Sequence, residues 1–297
     1  MYYKRHLSAT NAKTLLTFFM IIVSFMSMQA QPDADMRLQH VTTAVGEIAV
    51  WIKEHPGKRV PIMLLHGVYF DHRLWDEQIK SITDRTVIAI DMPMHGESKK
   101  ISKHKWTLND CAAMLIEVMD GLKIDRAIAV GHSWGSMTIA RAAALHPQRF
   151  EALGLCNMPF KALTAKEQRG IRWQHSALLF RKFHMKQAAK ALFARQSLTD
   201  HPSLVQRLIN PMSKLSNKEI RQTDKAVRIN ADDATELVSS LKVPAIALVG
   251  ESDYVGKPPL VQVEVVKGGH VSPLEASTDV NMLIKKLLST ADQSTQQ

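Results

Sequence analysis

From about Leu38 onward, short apolar runs alternate with longer stretches in which apolar residues recur every three to four positions. Leu38–Val45 and Glu47–Lys53 flank Gly46 and predict an opening pair of strands. Val60–Leu65 (VPIMLL) and Thr86–Ile90 (TVIAI) are continuously apolar, which suits strands buried on both faces of a parallel sheet. Between them, Asp71–Ile82 places Leu74, Trp75, Ile79 and Ile82 on one helical face. Thr107 reads as the N-cap of a helix running to Gly121. Arg126–Val130, a helix over Gly135–Leu145 stopped by His146-Pro147, and Phe150–Leu155 continue the alternation. Pro244–Val249, Val261–Val266 and an amphipathic helix over Thr278–Leu288 close it. The pattern predicts an α/β fold, a mostly parallel central sheet with helices on both faces. In such sheets, sites form at the carboxyl ends of strands.

The alternation breaks between Pro159 and Asp233, a stretch rich in the helix formers Ala, Leu, Gln, Lys and Arg. The expected division is therefore a core over 31–158 and 234–291, with a helical cap or lid over 159–233. The polar end, 292–297, reads as a flexible tail. Charge marks the same boundary. Phe160–Asp233 holds 15 Lys and Arg against 6 Asp and Glu, a net +9, while the whole chain carries +10. A solvated face, a preference for anionic substrates and an anionic membrane surface all fit that excess. No nucleic-acid module accompanies it. Trp173, Leu178, Leu179, Phe180, Phe183, Met185, Leu192 and Phe193 are expected mostly to pack the cap helices inward, with a few lining an apolar acyl pocket.

Residues 1–30 read as a secretory signal peptide. Lys4, Arg5 and Lys13 precede an apolar run, Leu15–Met28, and Ala30 offers a small residue before the cut. The expectation is a periplasmic or secreted protein. The rival, an uncleaved membrane anchor, faces a run shorter than the roughly 20 residues a spanning helix needs. Membrane contact is expected only through such an uncleaved N-terminus or through the basic lid. In an oxidising compartment, Cys111 and Cys156 are open to pairing or to remaining buried thiols. Their spacing fits no metal or redox motif, and no His, Asp or Cys spacing suggests a metal site.

Gly131-His132-Ser133-Trp134-Gly135 lies directly after a strand and directly before a helix. A nucleophile on so sharp a turn needs small residues on either side. Ser133 is the candidate nucleophile. A serine hydroxyl needs a base, and His270, behind Gly268-Gly269 at the end of the last strand-like run, is the candidate. Asp253, just past Pro244–Val249, is the expected acid that orients the imidazole. Glu251 is its local rival, and the end of Phe150–Leu155 offers only Cys156-Asn157, with no carboxylate. The order Ser–Asp–His is the one expected of this strand–helix arrangement. Trp134 N–H and Val68 N–H are the expected donors to a developing oxyanion. His66, His95 and His132 read as structural or pocket-lining.

The segments HGVYFDHRLW, AIDMPMHGES, VGHSWGS, VGESD and GGH occur in that order. They resemble the α/β-hydrolase superfamily of small esterases, lactonases, non-haem peroxidase-like enzymes and carbon–carbon bond hydrolases. The resemblance covers most of Leu38–Leu288 outside the insertion. It implies a cofactor-free serine hydrolase acting on a small-molecule carboxylic ester or lactone. The region Asp91–Ser98 and the compact lid point, by the same resemblance, to a lactone of the acyl-homoserine kind. A Ser at 133 departs from the branches that use Asp there, and Gly67-Val68-Tyr69-Phe70 departs from the proline iminopeptidase loop. A carbon–carbon hydrolase, a peptidase or a ligand-binding receptor on the same fold stays open as an alternative.

Overall fold

The computed structural model describes residues 35–259 and 262–294. The signal-peptide reading of residues 1–30 therefore lies outside the described residues. Arg37 onward forms one compact unit.

Its centre is an eight-stranded sheet. The strands are β1 (Arg37–Thr42), β2 (Glu47–Lys53), β3 (Ile62–Leu65), β4 (Val87–Ile90), β5 (Ala127–His132), β6 (Phe150–Cys156), β7 (Ala245–Gly250) and β8 (Gln262–Val266). They lie in the order β1-β2-β4-β3-β5-β6-β7-β8. Only β2 runs against its neighbours; every pair from β4 to β8 is parallel. Position in the sheet explains the sequence pattern. β3, β4, β5 and β6 are buried at every residue, which requires apolar side chains on both faces. β1 and β8 are edges, and there exposed residues are interspersed.

The core helices are α1 (Asp76–Ser81), α2 (Leu108–Gly121), α3 (Trp134–Leu145) and the closing helix α11 (Ser277–Ser294), with a short α10 (Ser272–Glu275) before it. Thr107 caps α2 as expected. Its hydroxyl accepts from Asp110 N at 3.2 Å, and Asp110 Oδ2 accepts from Thr107 N at 2.8 Å. Such a reciprocal box satisfies two otherwise orphaned amides. Two boundaries differ from expectation. The stretch from Asp71 opens as a 3-10 turn, His72–Trp75, because the Asp71 carboxylate accepts from Arg73 N and draws the first turn tight. At the other end, α11 extends to Ser294, beyond the expected end at Leu288. Asp292 accepts from the guanidinium of Arg85 at 3.0 Å, and the Arg85 side chain is fully buried. Cys111 in α2 and Cys156 in β6 are buried free thiols; burial pushes the Cys156 thiol up to about 12.

Between β6 and β7 the described chain is helical, without a strand. The insertion comprises α4 (Ala165–Gln174), a 3-10 turn His175–Phe180, α5 (Arg181–Leu192), α6 (Arg195–Asp200), α7 (Leu204–Ser213) and α8 (Asn217–Asp224), which widens into a π-helical turn, Lys225–Ile229. A short helix α9 (Thr235–Ser239) leads back to β7. Thr164 with Glu167, and Ser216 with Glu219, form capping boxes that start α4 and α8. The insertion's apolar side chains divide against expectation. Leu178, Met185 and Phe193 are buried, but Trp173, Leu179, Phe180 and Phe183 are exposed.

Candidate active site

β5 delivers the chain to Ser133, whose backbone sits at φ 50°, ψ −108°. A non-glycine residue in this region carries about 1–3 kcal/mol of strain and persists only where its surroundings fix it. Here Ser133 N donates to Cys156 O at 2.9 Å, and Ser133 O accepts from Met137 N at 3.0 Å. Ser136 Oγ ties the turn to β6, donating to Gly131 O at 2.6 Å and lying 3.0 Å from Cys156 O. The flanking glycines are demanded by close approach. A Cβ on Gly135 would stand 2.1 Å from Leu65 O, and one on Gly131 would stand 2.3 Å from Gly135 C. The spacing G-x-S-x-G is thus the imprint of α3 crossing directly over the ends of β3 and β5.

His270 follows β8. Its amide donates to Leu192 O at 2.7 Å, and its carbonyl accepts from His132 Nε2 at 2.7 Å. So held, His270 Nε2 lies 2.9 Å from Ser133 Oγ, and Nδ1 lies 2.9 Å from Asp253 Oδ1. With Nδ1–H donating to the carboxylate, Nε2 is the free acceptor for the serine hydroxyl proton. Asp253 stands at the loop after β7. Burial alone would raise its carboxyl, but the hydrogen bonds from His270 and Asn157 hold it below the usual carboxylate range. The rival Glu251 is exposed and takes no part in this chain of bonds. The three residues chosen from sequence are therefore brought into one hydrogen-bonded line.

Asn157, directly after β6, completes the group and was missed. It adopts φ 51° and is fully buried. Its Nδ2 donates to Asp253 Oδ2 at 2.7 Å and to Gly269 O at 3.2 Å. Its Oδ1 accepts from Ser272 N at 3.2 Å and from the Ser272 hydroxyl. One side chain so fixes the acid, the loop bearing His270 and the start of α10. The available signal was an Asn, a residue tolerant of left-handed backbone, immediately after a fully buried strand.

Ser133, Val68 and Trp134 share the wall of a cavity of about 380 Å³. Trp134 is the first residue of α3, so its N–H has no acceptor within the helix. The loop bearing Val68 is fixed from beneath. Tyr69, at φ 71°, donates its N–H to His95 Nε2 at 3.1 Å, and His66 Nε2 accepts from Met92 N at 2.9 Å. Burial, with His66 nearby, lowers His95 to about 3; burial, with His270 nearby, lowers His132 to about 3. All three histidines therefore act as neutral, buried hydrogen-bonding groups. Among the described residues no group of three or more His, Cys, Asp or Glu could hold a metal ion.

The rest of the cavity is mostly apolar, with Met137, Leu163, Ile171 and Leu192 on its wall. Tyr254 stacks on the imidazole of His270, with ring centroids 4.7 Å apart. Arg228, from the π-helical turn, also faces the cavity. It donates to Asp224 Oδ1 at 3.1 Å and to Tyr69 Oη at 3.3 Å. Tyr69 donates to Asp224 Oδ1 at 2.7 Å, and His175 Nε2 lies 2.9 Å from Asp224 Oδ2. Burial would raise Asp224, but Arg228 and these hydrogen bonds hold it low, so the carboxylate stays charged. Sequence reasoning singled out neither Arg228 nor Asp224.

Comparison with known proteins agrees with this architecture. A Pseudomonas putida protein, the dihydrolipoyllysine-residue acetyltransferase component of an acetoin cleaving system, is 26% identical over 245 residues, 80% of this chain. The chain spans only 65% of that relative's length. The 3-oxoadipate enol-lactonase 1 of Acinetobacter baylyi is 23% identical over 214 residues, covering 67% of this chain and 74% of that one. A thermophilic esterase from Thermogutta terrifontis superposes with a TM-score of 0.74 at 22% identity, over 86% of this chain and 99% of the other. The sequence profile described as the alpha/beta hydrolase fold matches residues 60–238, and the chain belongs to that family.

Proposed function

We propose that the protein is a serine hydrolase that cleaves a small carboxylic ester or lactone through an acyl-enzyme. The observation that carries this reading is the line Ser133–His270–Asp253, with 2.9 Å at each step, opening on the cavity. His270 Nε2 takes the proton as Ser133 Oγ attacks the substrate carbonyl. Asp253 holds the imidazole tautomer and stabilises the imidazolium. The oxyanion is received by the N–H groups of Trp134 and Val68, aided by the positive end of α3. Collapse of the tetrahedral adduct expels the alcohol, which takes the proton from His270; in a lactone the alcohol remains attached to the acyl chain. Water, deprotonated by His270, then attacks the acyl-enzyme and releases the acid. None of these steps calls for a cofactor.

The cavity is of the size that takes small organic ligands. The insertion forms most of its far wall, which supports its reading as a lid. Arg228 supplies one cation in that wall, held in place by Asp224 and Tyr69. It suits a substrate whose acyl or alcohol part ends in a carboxylate. The likeness to an enol-lactonase favours lactones within the class. The basic and apolar N-terminus supports an exported protein.

The test is hydrolysis of a panel of short esters and lactones by the wild type, Ser133→Ala and His270→Ala. Both substitutions should lower kcat about 10⁴-fold or more, with folding intact. Turnover that survives either substitution would overturn the reading.

A further inference from the structure

Large apolar side chains that reach solvent are scattered singly over most of the described surface, at Leu38, Leu145, Val265 and Met282. Scatter of that kind is ordinary. The insertion is different. Trp173, Leu179, Phe180 and Phe183 fall within one short run spanning the end of α4, the 3-10 turn and the start of α5, and all four are exposed, Trp173 and Leu179 at 81%. Leu179 and Phe180 end the 3-10 turn and Phe183 lies in the first turn of α5, so three of the four sit within five residues of one another at the junction of the two elements.

The charges around them are mostly cationic. Lys166, Arg169, Arg172, Lys182, Lys186 and Lys190 lie on the same two helices, and all are exposed. None of these six enters an ion pair among the described residues. One acid, Glu167, lies among them, accepting from the Thr164 amide and hydroxyl, so these cations outnumber it six to one. We infer that this face of the insertion is a docking surface for an anionic phospholipid bilayer, with the four apolar side chains entering the interface and the cations meeting the headgroups.

Three features favour lipid over other occupants. Aromatic and leucine side chains set among lysines and arginines are the composition of interfacial helices. Protein interfaces are depleted in lysine, and four of the six cations here are lysines. A second copy of the chain, docked face to face, would oppose like charges. The same helices also carry Ile171 and Leu192 on the wall of the cavity that holds Ser133. The docking does not rest on the hydrolase reading.

The experiment is vesicle flotation of the chain from Gln31 onward, which keeps all eight strands, the core and the insertion. Vesicles of phosphatidylglycerol with phosphatidylcholine are compared with phosphatidylcholine alone, at low and at high salt. The expected result is binding to the anionic vesicles at least tenfold stronger than to the neutral ones, and weaker at high salt. Trp173→Ser/Phe180→Ser/Phe183→Ser and Lys182→Glu/Lys186→Glu/Lys190→Glu should each lower it at least tenfold, with melting temperature and ester turnover in solution unchanged. A readout without substitution is quenching by brominated lipid. Trp75, Trp106 and Trp134 are buried and Trp51 is half-buried against His72, so the exposed Trp173 should dominate the quenched signal, and Trp173→Phe should remove most of it. Equal binding to both vesicle types, no binding, or no quenching overturns the proposal. So does a dimer in size-exclusion chromatography that the apolar variant dissolves, which would assign the face to a second copy.

Discussion

The sheet core and the helical insertion solve different problems with different amounts of packing. In the core, α3 buries ten of its twelve residues, and the strands around Ser133 are buried throughout. In the insertion, α4 buries only Ile171, and α6 buries none of its residues. The core fixes reacting atoms by over-determination, since each of Ser133, His270 and Asp253 is held through backbone or side-chain bonds from at least two other elements. The insertion fixes few atoms and shapes what reaches them. A strained nucleophile needs the first kind of region; access and substrate choice need the second.

The largest expected effect comes from disturbing the core at its tightest crossing. Gly135→Ala would put a Cβ against the Leu65 carbonyl, a backbone atom that cannot step aside. About 3 kcal/mol or more of stability should be lost, a fall of about 6 °C or more in Tm, together with most activity. A variant with wild-type melting would show that the core is looser than its contacts imply.

Asn157→Ala is the next largest. It removes a 2.7 Å donor from Asp253 and unties Ser272 and Gly269. A hydrogen bond to a charged group contributes about 1.5–3 kcal/mol, so kcat should fall about 10- to 100-fold with KM little changed. Asn157 acts through Asp253, so Asn157→Asp should not restore the rate, because it sets a second carboxylate against the first.

In the insertion the predicted effect is selective rather than global. Arg228→Gln should raise KM about tenfold for a half-ester bearing a free carboxylate and leave that of the neutral alkyl analogue unchanged. Some stability should also go, since Asp224 keeps only Tyr69 and His175 as partners. Equal effects on both substrates would reduce Arg228 to a structural ion-pair partner.

The smallest and broadest effect is on pH. His95 and His132 are held near 3 by burial, against an ordinary 6.5. Between those values the unfolded chain binds a proton at each site that the folded chain refuses. Stability therefore rises with pH across that window and is lost as pH falls from 6.5 towards 3, by up to about 1.4 kcal/mol per pH unit per site. His72 works in the opposite sense. Burial lowers it, but its bond to Asp91 raises it further, so its contribution is present below 6.5 and lost as pH rises through the folded value. Burial lowers His66 and His184 as well, so four sites oppose one, and Tm should fall between pH 7 and pH 4.

How much of this was legible follows the same division. Thr107 announces its helix because capping is local, and the buried strands announce themselves because both faces demand apolar residues. Ser133 and His270 were readable because a tight crossing forces glycines around them. Asn157 was not, because its partners, Asp253 and Ser272, are distant in sequence and any polar residue can follow a strand. Tyr69, Asp224 and Arg228 were invisible for the same reason. They meet only after the insertion folds back over the sheet edge, and nothing in the local pattern around each names the others. The outward turn of Trp173, Leu179, Phe180 and Phe183 was misjudged because apolar residues in a helix-forming stretch ordinarily pack inward. The helix beyond Leu288 was misjudged because its anchor, Arg85, lies far away in the chain.

The central claim is that Ser133 is an activated nucleophile. It is tested most directly by reaction of the wild type with a fluorophosphonate, read by intact mass and peptide mapping, beside Ser133→Ala and His270→Ala. The account predicts a single adduct on Ser133, absent from Ser133→Ala and strongly slowed in His270→Ala. A well-folded wild type that takes up no label, or takes it up elsewhere, would contradict it.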